Sequence, residues 1–316
     1  MLARLVIVPA LLLAACGSNP VRAVDAPPGD PGTDAPPPGD AAAGRDPATD
    51  GTFAVTTTTA SIPGAEAGRT VDATVFAPDG GTARPLVIVS PGFQMQRTQY
   101  ASYARHLATW GFVVVLVDYA ESGFFLDHAK LARDVPAVID WALAQTALAI
   151  DPQRIATAGH SLGGKISVFA ASLEPRIRAV VAWDPVDSSN PSVVPEKMTS
   201  LAIPIAVVGE TTNGSGGGMP CAPAADNFQQ FFAASPSPAL AITVAGADHM
   251  DWVDDPSCGF CGFCAPGAAS PELARTVSRR LDVAWLRRQL LDDTAMDVWL
   301  ASPPEAASGE ITIATH

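Results

Sequence analysis

Basic residues are scarce in this chain: 19 Lys and Arg stand against 32 Asp and Glu, giving a formal net charge of −13. A surface of that sign repels phosphate backbones and anionic headgroups, which argues against nucleic acid and against an electrostatically held membrane surface as partners. Charge of either sign is thin at 16%, while 48% of the chain is hydrophobic, so one domain with a full buried core is expected. The apolar run Leu5 to Ala15 is too short to cross a bilayer as a helix; behind Arg4 it reads as an export signal. The glycines of Gly214 to Gly218 have no strand–turn–helix frame, so they give no phosphate site. The folded part has no internal repeats, and no motif in it calls for a cofactor.

The export signal ends Leu13-Ala14-Ala15-Cys16, which resembles the lipobox of bacterial lipoproteins. That resemblance implies cleavage before Cys16, lipidation of this cysteine, and anchoring to a cell-envelope membrane, in the periplasm or at the cell surface. Residues 16–51 are largely Pro, Gly, Asp and Ala, with Asp25 to Asp30 nearly copied at Asp34 to Asp40. Such a segment has too little to bury against its ordering entropy and reads as a disordered tether. The expected organisation is a signal over 1–15, the tether over 16–51, a catalytic domain over 52–290 and a tail over 291–316 with no clear element.

Within 52–290, strand-like apolar runs alternate with helical patterns, the pattern of a mostly parallel sheet with helices on both faces. Phe53 to Thr59 and Thr70 to Phe76 read as half-buried edge strands. Leu86 to Val89 and Phe112 to Val117 are continuous apolar runs, expected of strands buried on both sides. Further strands are expected at 155–158, 179–183, 205–208 and 239–244. Helices are expected between Tyr100 and Trp110, over 127–149 with a kink or break at Pro136, over 162–173 and over 271–290.

Gly159-His160-Ser161-Leu162-Gly163 lies directly between a strand and a helix, as the Gly-x-Ser-x-Gly nucleophile elbow requires. Small residues beside the serine let strand and helix approach, and the helix N-terminus favours negative charge at the reaction centre. In such folds the acid and then the histidine follow the serine. Only His249 and His316 do so, and His316 is the last residue; His249 lies just past the strand ending at Val244 and is the expected base. Asp184 and Glu210 both close strands, Asp187 follows closely, and the residues alone leave the acid open among the three. The backbone N–H groups of Leu162 and Phe93 are the expected oxyanion hole.

From roughly Pro85 to Leu290 the chain resembles the chlorophyllase branch of the α/β-hydrolases, which is similar to platelet-activating-factor acetylhydrolases and cutinase-like polyester hydrolases. The matching pieces are Ser90-Pro91-Gly92-Phe93, Gly159 to Lys165, Asp184-Pro185-Val186-Asp187, Cys221-Ala222-Pro223 and Ala247 to Asp251. The resemblance implies an α/β-hydrolase fold, an ester hydrolase with Ser161 and His249, and Asp184 as the acid. Cutinase-like enzymes place the acid one strand later, near Glu210. Chlorophyllases have arginine where this chain has Leu162, which argues against chlorophyll as the substrate.

The expected activity is therefore cofactor-free hydrolysis of moderately apolar esters through an acyl-enzyme. An acyltransferase using the same triad, or a silent ligand-binding lipoprotein on this scaffold, are the rivals. Beyond Cys16, an exported chain with Cys221, Cys258, Cys261 and Cys264 is expected to form two disulfides rather than a metal site. Trp252, Phe260 and Phe263 are candidates either for a hydrophobic substrate wall or for core. Residues 119–125 are a candidate rim, and Lys165 reads as a solvated or structural charge.

Overall fold

The computed structural model describes residues 44–121, 123–214, 219–257 and 261–316. The lipidation candidate Cys16, most of the tether, Cys258, Phe260 and residues 215–218 lie outside them. Nine described strands form one sheet in the order β1-β2-β4-β3-β5-β6-β7-β8-β9. They are β1 (Val55–Pro63), β2 (Thr70–Pro78), β3 (Arg84–Ser90), β4 (Val113–Val117), β5 (Ile150–His160), β6 (Ile177–Trp183), β7 (Ile205–Glu210), β8 (Ala239–Val244) and β9 (Ile311–Thr315). Strands β4, β3, β5, β6, β7 and β8 run parallel, while β1, β2 and β9 are antiparallel additions at the two edges.

The alternation of apolar residues splits the core into two layers. On β3, Leu86 and Ile88 face one side and Val87 and Val89 the other; on β4, Val113 and Val115 oppose Val114 and Leu116. One layer is closed by α1 (Ala101–Thr109) and α5 (Pro271–Leu291), the other by α2 (His128–Ala144), α3 (Leu162–Leu173) and the short α4 (Phe228–Ala234). Each fully buried Val or Leu in these layers contributes roughly 1.5–3 kcal/mol. Helix α2 continues through Pro136 and ends earlier than the pattern suggests, at Ala144. Ala149, at a left-handed φ of 49°, then turns the chain into β5.

Two expected boundaries move. The tether is expected to run to Gly51, but its last residues are docked on the domain. Arg280 bonds both Asp46 and Glu305, His106 Nε2 donates to the Pro47 carbonyl at 2.8 Å, and Trp110 donates to the Thr49 carbonyl at 2.9 Å. Polar side chains thus fix a segment that has little apolar surface of its own. The C-terminal residues, expected as a tail, form α6 (Asp297–Ala301), α7 (Pro304–Ala307) and β9. β9 is an edge strand with only Ile311 fully buried, so it lacks the long apolar run that marks the central strands.

Candidate active site

β5 and α3 meet at Ser161, whose φ of 54° places a non-glycine residue in the left-handed region. Two neighbours make this tight turn sterically possible. A Cβ on Gly159 would lie 2.6 Å from the Ser90 carbonyl oxygen, and one on Gly163 would lie 2.0 Å from the same atom. The Ser161 N–H donates to the Trp183 carbonyl at 2.9 Å, which ties the elbow to the end of β6.

The next residue after β6 is Asp184, also at a positive φ (40°) and fully buried. Its N–H donates to Val208 of β7 at 2.6 Å, and its Oδ2 lies 2.6 Å from His249 Nδ1. The other ring nitrogen, His249 Nε2, lies 2.9 Å from Ser161 Oγ. With Nδ1–H donating to the carboxylate, Nε2 is left as an acceptor for the serine proton. Burial pushes the Asp184 carboxyl up, and the hydrogen bond and charge of His249 oppose it. Burial also keeps most water from this relay, so its electrostatics are stronger than in solvent.

The loop after β8 holds His249 through its carboxylates. Asp248 accepts the Met250 N–H at 2.8 Å and the Gly267 N–H at 2.6 Å, and Asp251 accepts the Asp248 N–H at 3.0 Å. The Gly246 carbonyl takes the N–H groups of Ala268 and Ala269. Asn213 then clamps two loops together: its side chain bonds both backbone groups of Ala265, and its Oδ1 accepts the Cys221 N–H. A disulfide joins Cys221 to Cys264 across the same gap. Neither Asn213 nor the three methionines of the cavity lining described below are visible as a motif in sequence.

Glu210, the alternative acid, closes β7 beside Asp184 but does not contact the imidazole. Its carboxylate accepts the Asn213 N–H at 2.8 Å, and burial followed by the charge of Asp184 pushes its pKa up to about 8. Asp187, the third candidate, is bound to Lys165 and to the N–H groups of Val193 and Val194. Lys165 is fully buried in this ion pair, which excludes the solvated reading.

Ser161 and His249 open onto a cavity of about 380 Å³. Phe93 and Leu162, the expected oxyanion residues, flank the serine in its lining. Met95, Met219 and Met250 are among its apolar lining residues, and His128, Ser188 and Asn190 among its polar but uncharged ones. Burial and the nearby Lys165 push the pKa of His128 down to about 4, so its ring is neutral at neutral pH. Cys221, Cys261 and Cys264 border the cavity as well. Of the aromatic candidates, Trp252 is core, donating to Ser278 at 2.8 Å, and Phe263 is exposed. Phe124 from the candidate rim lines the mouth, its ring 6.5 Å from that of Phe93.

A serine, a histidine and a carboxylate in series at the C-terminal edge of a mostly parallel sheet define a serine hydrolase with the α/β-hydrolase fold. The chain belongs to the Chlorophyllase family, whose profile matches residues 47–311. It is similar to Chlorophyllase-1 of Arabidopsis thaliana, at 26% identity over 72% of this chain and 78% of that protein. A Bis(hydroxyethyl) terephthalate hydrolase of Streptomyces coelicolor is 26% identical over 69% of this chain and 61% of its own length. Cutinase 2 of Thermobifida cellulosilytica is 24% identical over 75% of this chain and 81% of that protein. All three are named as ester hydrolases or as members of ester-hydrolysing families, and the chain is an enzyme of that carboxylic-ester-hydrolase type.

Proposed function

We propose that this protein hydrolyses moderately apolar, uncharged carboxylic esters through an acyl-enzyme on Ser161. The observation that carries the reading is the Ser161–His249–Asp184 relay opening onto a cavity lined by apolar side chains and uncharged polar ones. Ser161 Oγ attacks the ester carbonyl as His249 Nε2 takes its proton, and Asp184 holds the ring and stabilises the imidazolium. The backbone N–H groups of Phe93 and Leu162 receive the oxyanion. Collapse expels the alcohol with the proton from His249; water, activated by the same nitrogen, then releases the acid and frees Ser161. The reading needs no cofactor. The lipobox-like Leu13 to Cys16 supports an exported, lipid-anchored location, which mass spectrometry of the mature N-terminus tests: unmodified Cys16 would exclude it.

The test of activity is fluorophosphonate labelling together with turnover of p-nitrophenyl esters of increasing acyl length, on wild type and Ser161→Ala. Bis(hydroxyethyl) terephthalate, the ester in the name of the Streptomyces relative, is a fitting bulky probe. Labelling and turnover lost together in Ser161→Ala support the esterase. A folded wild type that neither labels nor turns over any of these esters would overturn it.

A further inference from the structure

Three hydrogen bonds run in series through His160, the residue before Ser161. The Gly92 N–H meets Tyr100 Oη at 3.1 Å, Tyr100 Oη meets His160 Nδ1 at 2.8 Å, and His160 Nε2 meets the His249 carbonyl oxygen at 2.9 Å. Their direction follows from the partners. The carbonyl can only accept, so Nε2 carries the proton. Burial keeps the ring neutral, holding its pKa well below the usual histidine value, so Nδ1 accepts the tyrosine O–H. The phenol oxygen in turn accepts the Gly92 N–H. Each of these buried polar atoms is satisfied, and a neutral ring has no second arrangement that satisfies them all.

The series is also held from behind. Tyr100 stacks on Trp183 with ring centroids 6.4 Å apart, and His160 stacks on Trp252 at 6.5 Å. The two indole N–H groups donate to Asp282 and Ser278 of α5, each at 2.8 Å. At the other end, Gly92 sits directly on the contact: a Cβ there would lie 3.0 Å from Tyr100 Oη and 3.1 Å from His160 Nδ1. The ring centroids of His160 and His249 are 4.6 Å apart. A neutral His160 therefore leaves His249 free to become an imidazolium without a like charge beside it.

We propose that Tyr100 and His160 are positioning residues, a buried strut that sets the distance between the loop bearing Phe93 and the loop bearing His249. The proposal rests on the esterase reading above. Its consequence is that the oxyanion donor and the general base are placed by one rigid linkage rather than by two independent loops. Misplacement of either by a fraction of an ångström acts on the transition state more than on ester binding.

The test compares Tyr100→Phe, His160→Gln, His160→Phe and Gly92→Ala with wild type. Each is read by thermal melting, fluorophosphonate labelling stoichiometry, and kcat and KM on one p-nitrophenyl ester. Tyr100→Phe and Gly92→Ala are expected to label fully yet lose roughly 10- to 100-fold in kcat, with KM within about twofold. His160→Gln keeps a donor for the His249 carbonyl and should retain more kcat than His160→Phe. Variants that label fully and keep wild-type kcat would overturn the strut, leaving these residues as core. So would loss of folding in Tyr100→Phe alone, with Gly92→Ala and His160→Gln folded and fully active. Failure of wild type itself to label would instead count against the esterase reading.

Discussion

Asp184 and Glu210 close adjacent parallel strands, yet only Asp184 reaches the histidine: its Oδ2 is 2.6 Å from His249 Nδ1, while Glu210 turns to the Asn213 N–H at 2.8 Å. The two carboxyls should therefore separate cleanly in kinetics. Asp184→Asn keeps the shape but offers His249 an amide, favouring the wrong tautomer; kcat is expected to fall about 10³- to 10⁴-fold. Glu210→Gln should leave kcat close to wild type. Steady-state assays at pH 7 on the two variants check this, and the reverse ranking would assign the acid to Glu210.

Glu210 has a separate effect on stability. An unfolded glutamate ionises near pH 4.5, whereas in the folded protein this one does so only at about pH 8. Between those values the folded state binds the extra proton, so raising pH favours unfolding by up to about 1.4 kcal/mol per pH unit and the loss levels off above pH 8. Glu210→Gln removes that titration. Its gain in melting temperature over wild type should be small at pH 4.5 and largest at pH 8 and above. A difference independent of pH would show that Glu210 is not held protonated.

Lys165 Nζ lies 3.2 Å from Asp187 Oδ1 with the lysine wholly shielded from solvent. Removing one member strands the other charge, which typically costs about 3–5 kcal/mol. Asp187 also fastens the backbone of Val193 and Val194, and Ser188 and Asn190 between them line the cavity. Lys165 in turn donates to the Ser188 carbonyl, so both variants should destabilise the protein, and Asp187→Asn, which frees the backbone at both Val193 and Val194, should raise KM more than Lys165→Met. Denaturant melts and Michaelis curves on both variants separate the two effects.

The parts of this molecule most legible in sequence are those with a local pattern. The apolar runs at 86–89, 112–117, 179–183 and 239–244 announce the buried parallel strands because both faces are covered. Ser161 is legible because the elbow needs glycines at fixed offsets, and His249 because few histidines follow it. The residues alone leave the acid open, since two strands end in carboxylates; the family resemblance implies Asp184, and it is Asp184 that reaches the ring. The Asn213 clamp, the lining methionines, α4 and β9 are not legible. Their roles depend on contacts between residues far apart in the chain, such as Asn213 with Ala265 and Ile242 with Ile313.

The Cys221–Cys264 disulfide closes a span of 43 residues, which corresponds to about 4 kcal/mol of loop entropy on a chain-entropy model. Both cysteines line the cavity, and the segment after Cys264 carries Gly267, which bonds Asp248 beside the histidine. A Cys221→Ser/Cys264→Ser double variant should melt several degrees lower. It should also lose activity at temperatures where it is still folded, because the segment that bonds the histidine loop through Gly267 loses one of its anchors. Melting and activity measured over the same temperature series check both parts; activity that tracks melting alone would limit the disulfide to stability.

The cavity lining includes no lysine or arginine among the described residues, and His128 is kept neutral. The chain carries a net charge of −13, and Lys165, the cation behind His128, is already paired with Asp187. Buried Asp184 adds a negative charge close to the serine. An ester carrying a free carboxylate should accordingly be a poorer substrate than its neutral methyl ester, by about tenfold or more in kcat/KM at low salt. The gap should narrow as ionic strength rises, because the long-range part of the repulsion is screened while the desolvation cost remains. A diester would then be cleaved once, and its half-acid would leave before a second turnover. Product analysis on a symmetric aromatic diester, at two salt concentrations, gives the answer: accumulation of the half-acid supports a site tuned to neutral esters, and equal rates for both steps would exclude it.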